Sequence, residues 1–466
     1  MTNPDKTIQS TMFDEMQNKQ VFERAQRYGL VYLDEVLERN VYPTEQALSD
    51  LRHFDEDFPD APTDAEDIID LLHTYGAPAT VAQLGGRYFG FVCGSAVPAG
   101  LAAKSLATFW DQNTAMHVLS PLASRLESVV EQWFRQIFCL PDQTVAGFVS
   151  GTSLATFCGL AAARYRLLER AGWDVNERGL FDAPKLRVVT SEHAHSTVVK
   201  AIGLLGFGKV NVEWVAVDDQ GRMVASALPP LDERTLVILQ AGNVNSGSFD
   251  PLEKVCERAN DAGAWVHIDG AFGMWAGATK RLRHLVRGIE KGDSWSVDGH
   301  KTLNTPYDCG IVLCRDREAL AAALHMSGDY LVLNAERDGM FYTPEMSRRA
   351  RVIELWATLK YLWRAGIDQM VYGLHERAVQ FAQELSNFPG FTVLNDVVFN
   401  QVLVKCETDD LTEQTLARIQ DLRECWVGGS VWKGNKVIRI SVCSWATTKE
   451  DVDRSVQSFV QALKKV

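Results

Sequence analysis

The sequence predicts an α/β fold in which a mostly parallel, twisted sheet is covered on both faces by helices. Short β-branched runs alternate with helical segments through the middle of the chain, at 144–150, 186–190, 212–217, 235–240, 264–268 and 310–314, with a shorter run at Trp295-Ser-Val. Their continuous apolar character is that of strands buried on both sides, and the helices between them are the crossovers that parallel strands require. A third observation is length: 466 residues can form a large core and more than one folding unit.

Residues 1–84 alternate charged helical patterns with Pro-containing breaks, as in Phe22-Glu-Arg-Ala-Gln-Arg-Tyr and Asp64-Ala-Glu-Asp-Ile-Ile-Asp-Leu-Leu, and are expected to form a helical arm that packs on the main body or on a partner subunit. At Gly85 the texture changes to Gly-Gly-Arg-Tyr-Phe-Gly-Phe-Val-Cys-Gly-Ser. Phe89 and Phe91 in this loop either line a pocket or plug the core. A helical pattern follows at 99–110, then a Pro-initiated amphipathic helix from Pro121. The strand-rich region 85–345 is the expected large domain. After Met346, a helical pattern at 351–363 leads into further strands and a final amphipathic helix at 449–464, so 346–466 is the expected smaller carboxy-terminal α/β domain.

Composition narrows the partners. With 46% hydrophobic and 23% charged residues and no apolar run of bilayer length, no membrane span is expected. A net charge of −13 repels nucleic acid and anionic lipid in bulk. Nine scattered cysteines without a Cys-x-x-Cys pair indicate neither a metal site nor a disulfide framework. The polar amino terminus has no apolar signal core, which points to a cytoplasmic protein with small-molecule partners.

The chemistry concentrates at strand ends, where ligands of such sheets bind. Lys301 lies in Asp293-Ser-Trp-Ser-Val-Asp-Gly-His-Lys301, a short turn suited to a reactive amine. Asp269, in His267-Ile-Asp269-Gly-Ala-Phe, is a carboxylate at a strand end; it either meets a cation or caps the next helix. Gly151-Thr152-Ser153 opens a helix, whose N-terminus either holds a phosphate or is ordinarily capped. Together these residues suit pyridoxal phosphate, an aldehyde cofactor that needs a lysine, a carboxylate at its ring nitrogen and a phosphate cradle. In Ser191-Glu-His-Ala-His195, His195 rather than His193 is placed to stack on a flat ring. Asn243 follows another strand end, with an amide for the ring hydroxyl or for its own loop. Arg439, in Val437-Ile-Arg-Ile-Ser-Val, pairs either with a substrate carboxylate or with an internal acid.

The ordered motifs Gly-x-x-Ser-Gly-Thr-Ser, Ser-Glu-x-x-His-x-x-x-x-Lys-Ala, His-x-Asp-x-Ala-x-Gly and Asp-Ser-x-Ser-x-Asp-x-His-Lys closely resemble those of the group II pyridoxal-phosphate-dependent amino acid decarboxylases. The resemblance runs from about Gly85 to the carboxy terminus. It implies the aspartate-aminotransferase fold (fold type I), with a seven-stranded sheet, and a homodimer. It further implies that Lys301 carries the cofactor as a Schiff base, that Asp269 pairs with the pyridine nitrogen, and that His195 and Ala271 face opposite sides of the ring. Gly151, Thr152, Ser153 and His300 would hold the phosphate, and Arg439 the substrate α-carboxylate. The sequence departs from the family pattern in four places. Thr152 stands for a glycine, Leu154-Ala-Thr156 for Glu-Ala-Asn, and Asp298 for an asparagine. A proton-donating loop tyrosine of many members falls at Gly339, with Tyr342 nearby but displaced and Tyr330 further off, so that Tyr342, His195 or an ordered water is expected to return the proton.

The expected function is decarboxylation of an L-amino acid to its amine. The alternatives are another reaction of the same cofactor (transamination, aldolase-type cleavage or oxidative deamination) or a non-catalytic binding protein that keeps the fold.

Overall fold

The computed structural model describes residues 7–324 and 336–465. Seven strands form the main sheet: β1 (Val145–Val149), β2 (Arg187–Ser191), β3 (Val212–Val215), β4 (Thr235–Gln240), β5 (Trp265–Asp269), β6 (Ser294–Asp298) and β7 (Gly310–Cys314). Their order is β1-β7-β6-β5-β4-β2-β3. Only β7 runs against its neighbours, so the sheet is mainly parallel, as expected.

Each face of the sheet is sealed by its own core, and residue parity decides which side chain enters which. Phe148, Val266, Ile268 and Val297 pack beneath the helices Pro121–Phe138 and Leu252–Asp261. Val145, Val149, Val188 and Val312 pack beneath Thr152–Arg170 and Ser196–Leu204 on the other side. With both faces covered, β1, β4, β5, β6 and β7 are buried along their whole length. Accordingly β1, β4 and β7 read as mostly apolar runs, whereas β6 alternates Ser294, Ser296 and Asp298 with Trp295 and Val297, its polar side chains buried as well. Gly159 fixes the seat of the Thr152–Arg170 helix: a Cβ there would lie 2.7 Å from the His267 ring on β5. Without that side chain the helix lies directly on the sheet, with its start at the carboxyl ends of the strands.

A second sheet, antiparallel throughout, has the order β10-β11-β9-β8, with β8 Thr392–Val393, β9 Gln401–Lys405, β10 Gly428–Trp432 and β11 Asn435–Ser441. The helices Asp409–Leu422 and Lys449–Lys464 cover it. The two cores are joined by Val352–Ser386, which breaks at Trp363 (φ 38°, ψ −177°). Leu355 and Leu359, before the break, pack on the main sheet, whereas Leu374 and Phe381, after it, pack on the small one. The helical pattern seen in the sequence stops at this break.

Ahead of both sheets the helices Ile8–Asn18 and Gln20–Glu35, separated by left-handed Lys19 (φ 65°), leave Met12, Phe13 and Met16 exposed. Among the described residues no helix is long and apolar enough to cross a membrane.

Candidate active site

Because β1, β2, β5 and β6 run in one direction, the residues that follow them gather at one edge of the sheet. Gly151 follows β1, His195 follows β2, Asp269 ends β5, and Asp298, His300 and Lys301 end and follow β6. The loop carrying Phe91 closes over the lysine turn: a Cβ on Gly94 would lie 2.1 Å from the Lys301 carbonyl oxygen, and the Gly94 N–H donates to the His300 carbonyl at 3.2 Å. Only glycine allows that approach.

Lys301 Nζ lies 2.9 Å from Asp298 Oδ2. Burial alone would lower the lysine pKa, but Asp298, with help from Asp269, outweighs it and holds the ammonium above its ordinary range. Asp269 is 5% exposed, and its Oδ1 accepts the Ala271 N–H at 3.2 Å. Burial pushes its carboxyl above the usual range, while His195 and Lys301 pull the other way. His195 caps the Ser196–Leu204 helix, its Nδ1 accepting the Thr197 N–H at 3.3 Å. Burial lowers its pKa, against the pull of Asp269, so the ring is a neutral flat surface.

His300 is fixed from two sides. Its Nδ1 accepts the Cys309 N–H at 3.0 Å, and its ring stacks on Tyr307 with centroids 4.4 Å apart. It reaches the start of the Thr152–Arg170 helix, where a Cβ on Gly151 would lie 3.4 Å from the imidazole. Thr152 is buried there and Ser153 is exposed. Ala271 is half-buried beside Asp269.

A cleft of about 500 Å³ opens at His195, the one member of this group that lines it, and is bounded also by Arg439, Phe91, Trp432 and Asn245. Two larger clefts, about 750 and 870 Å³, hold none of the residues above. Arg439 projects from β11 into the cleft. Its Nε is buried without a hydrogen-bond partner, its Nη1 reaches only the Val244 carbonyl at 3.4 Å, and no acid among the described residues forms an ion pair with it. Burial lowers its pKa. Such a guanidinium calls for an anion from outside.

Three expectations from the sequence are corrected here. Phe89 does not face the cleft: it is fully buried in the small core, edge-on to Phe381 at 4.9 Å. Phe91, two residues on, does line the cleft and is 63% exposed, because φ values of 51° and 59° at Phe91 and Val92 turn the chain over. Asn243 is taken up by its own loop, its Oδ1 accepting the N–H groups of Asn245 and Ser246 at 2.9 and 3.3 Å. Asn245 instead reaches the cleft, accepting the Ser430 hydroxyl at 2.8 Å. Tyr342 is the third. It is 3% exposed in the core beneath the main sheet, under the Arg337 guanidinium at 4.3 Å, and is not part of the cleft. Gly339 is buried as well: a Cβ there would lie 2.0 Å from Arg348 Nη2, in the Arg348–Glu127 ion pair, so this position has no room for a tyrosine. Tyr330 lies outside the described residues.

The sequence reading missed His193, Trp432 and Asn245 as cleft residues. His193 and Asn245 stood beside chosen positions. Trp432 carried no local signal, since it reaches His193 (5.3 Å, edge-on) from the second sheet.

The donor set fits pyridoxal phosphate. Lys301 is an amine for its aldehyde, Asp269 is a buried carboxylate for its ring nitrogen, and the start of the Thr152–Arg170 helix, with exposed Ser153 and flanking His300, suits its phosphate, although the Thr152 N–H and hydroxyl are given to Asp298. The family model for the pyridoxal-dependent decarboxylase conserved domain matches residues 48–406. The chain is 26% identical to aromatic-L-amino-acid decarboxylase of Rattus norvegicus, over 89% of this chain and 90% of that one. It is 28% identical to L-2,4-diaminobutyrate decarboxylase of Rhizobium meliloti (strain 1021), over 84% and 79%. Among solved structures, mouse CSAD superimposes with a TM-score of 0.88 at 18% identity, covering 96% of this chain and 99% of that one, a likeness of fold.

Proposed function

The chain belongs to the pyridoxal-dependent decarboxylase family, and from that premise we propose that Lys301, Asp269 and His195 form the catalytic centre of an L-amino acid decarboxylase. The supporting observation is the buried Asp269 carboxylate, raised in pKa, within electrostatic reach of both Lys301 and His195. When bound, pyridoxal 5'-phosphate supplies a conjugated electron sink for the bond to the substrate carboxylate. Lys301 Nζ is the amine that retains the aldehyde and yields to the substrate amine. Asp269 keeps a proton on the ring nitrogen. The neutral His195 ring and Ala271 bound the space on the two faces. Gly151, Ser153 and His300 would surround the phosphate, with Thr152 beside them held to Asp298. Arg439 takes the substrate α-carboxylate, and Phe91 with Trp432 favours a large, apolar or aromatic side chain.

Incubating the purified protein with a panel of L-amino acids while measuring carbon dioxide, amine and keto acid together tests the function. Equimolar carbon dioxide and amine is the expected result. Keto acid formed by exchange with an acceptor would place the chain among aminotransferases instead. A charge-assisted hydrogen bond is worth about 1.5–3 kcal/mol, so Arg439→Met should raise KM about ten- to a hundredfold with cofactor absorption unchanged. An unaltered KM would remove Arg439 from substrate binding.

The protein is further proposed to act as a homodimer. Leu106, Phe109 and Trp110 on the Pro98–Trp110 helix are exposed, Phe22 of the arm meets Phe109 at 5.9 Å, and the outer side of the arm adds Met12 and Met16. Apolar surface of this extent marks an interface. Light scattering should give twice the chain mass, and a fully active monomer would refute the proposal. Nine unpaired cysteines suit the reducing cytoplasm.

A further inference from the structure

One buried carboxylate of the site has no part in the chemistry above. Asp298, 1% exposed at the end of β6, gathers three donors. Its Oδ1 accepts the Thr152 N–H at 2.7 Å, and its Oδ2 accepts the Thr152 hydroxyl at 2.8 Å and lies 2.9 Å from Lys301 Nζ. His300 Nε2 is 3.6 Å from the same oxygen. The backbone around the carboxylate is fixed too, since the Trp275 indole N–H donates to the Asp298 carbonyl at 2.9 Å and the Asp298 N–H donates to the Ala271 carbonyl at 2.9 Å. With the main chain held on both sides and three donors in place, the carboxylate has little freedom to turn away from Lys301.

We propose that Asp298 is a positioning residue that sets when Lys301 becomes available: in the cofactor-free chain it binds the lysine as an ammonium to the start of the Thr152–Arg170 helix, and the amine must leave this bridge before it takes up an aldehyde. The inference rests on the reading of Lys301 as the cofactor lysine. An ammonium has no lone pair. It must first release one proton to solvent, to which the lysine side chain is 20% exposed; the nitrogen then bonds the aldehyde carbon, and the carbonyl oxygen departs as water. A carboxylate at 2.9 Å favours the ammonium and so opposes the first of these steps. The other titratable groups facing Lys301 are Asp269 from β5, His300 beside it in the turn after β6, His195 from the start of the Ser196–Leu204 helix, and Cys443 after β11. Of these groups and Asp298, the structure gives a hydrogen-bond contact to Nζ only for Asp298.

The test is the rate at which visible absorption appears when cofactor-free protein is mixed with pyridoxal 5'-phosphate or, in a second arm, with pyridoxal. Both are followed from about pH 6 to 10, for the parent and for Asp298→Asn. The asparagine keeps an oxygen for the Thr152 N–H, which preserves the helix start. One pKa unit of lost ammonium stabilisation corresponds to about tenfold in neutral amine at fixed pH. The variant should therefore load about tenfold faster near neutrality with both aldehydes, its pH profile moved about one unit lower. Superimposed profiles would overturn the proposal. So would a gain confined to pyridoxal 5'-phosphate, which would mean that Asp298 acts on the phosphate and not on the lysine. The parent alone gives a second check: its loading rate should still climb at about pH 9, and a plateau well below that would also overturn the proposal. A parent that develops no absorption with either aldehyde would instead refute the cofactor reading of Lys301, and this inference with it.

Discussion

Replacing Lys301 with alanine is expected to abolish both turnover and the visible absorption of the bound cofactor. Lys301 alone among the lysines stands in the turn after β6, between Asp298 and the loop carrying Gly94, where its Nζ meets a carboxylate at 2.9 Å. The variant should lose some stability too, because the Asp298 carboxylate, 1% exposed, loses its nearest cation. Breaking a fully buried ion pair costs about 3–5 kcal/mol. The loss here is smaller, because the lysine side chain keeps 20% exposure and Thr152 still donates twice to Asp298. The sign with pH follows from the raised lysine pKa. The stabilisation is fully present below the unfolded lysine value of about 10.4 and is lost only as pH rises through the higher folded value, so the deficit should be constant between about pH 6 and 9. Absorption spectra and thermal unfolding of the cofactor-free proteins measure the two effects separately. An unchanged spectrum in the variant would remove Lys301 from the site.

Much of this arrangement was legible in the sequence. A strand buried on both faces is mostly apolar, and a charged residue at or just after its carboxyl end lies at the sheet edge. The positions of Asp269 and Lys301 follow from those two statements. What stayed illegible was direction. Phe89 and Phe91 are two apart, and in an extended chain they would share a face. Two successive left-handed residues, Phe91 and Val92, put one ring in the core and the other in the cleft. Asn245 lines the cleft where Asn243 was expected, because Asn243 is needed to close its own turn. Tyr342 looked like a catalytic phenol by its distance from Arg348, but the burial of Gly339 against the Arg348–Glu127 pair ties that stretch down and draws the ring beneath the sheet. These outcomes depend on contacts from distant parts of the chain. Asp298 was legible as a departure from the family pattern, and only the geometry connects it to Lys301.

Asp269→Asn tests the electrostatics on which the proposed chemistry depends, and it should separate folding from function. In the cofactor-free chain the carboxyl is buried and its pKa is raised, so the group is held at a cost. An amide of the same shape removes that cost while keeping an oxygen for the Ala271 N–H, and the fold should be as stable as the parent's or slightly more so. Function should move the other way. The asparagine carries no negative charge to keep a proton on the ring nitrogen, so the electron sink weakens when the bond to the carboxylate breaks. Loss of one preorganised electrostatic contact to developing charge costs about 2.7–4 kcal/mol, or about 10²–10³ in kcat. Cofactor retention should fall by about 1.5–3 kcal/mol, the worth of a hydrogen bond to a charged group. Equilibrium unfolding, cofactor titration and single-turnover rates at saturating cofactor measure the three quantities independently. A variant with normal kcat and normal cofactor affinity would show that Asp269 does not face the ring nitrogen. A variant that unfolds would show instead that the carboxylate is a structural element of β5, held by His195 and Lys301 for the sake of the fold.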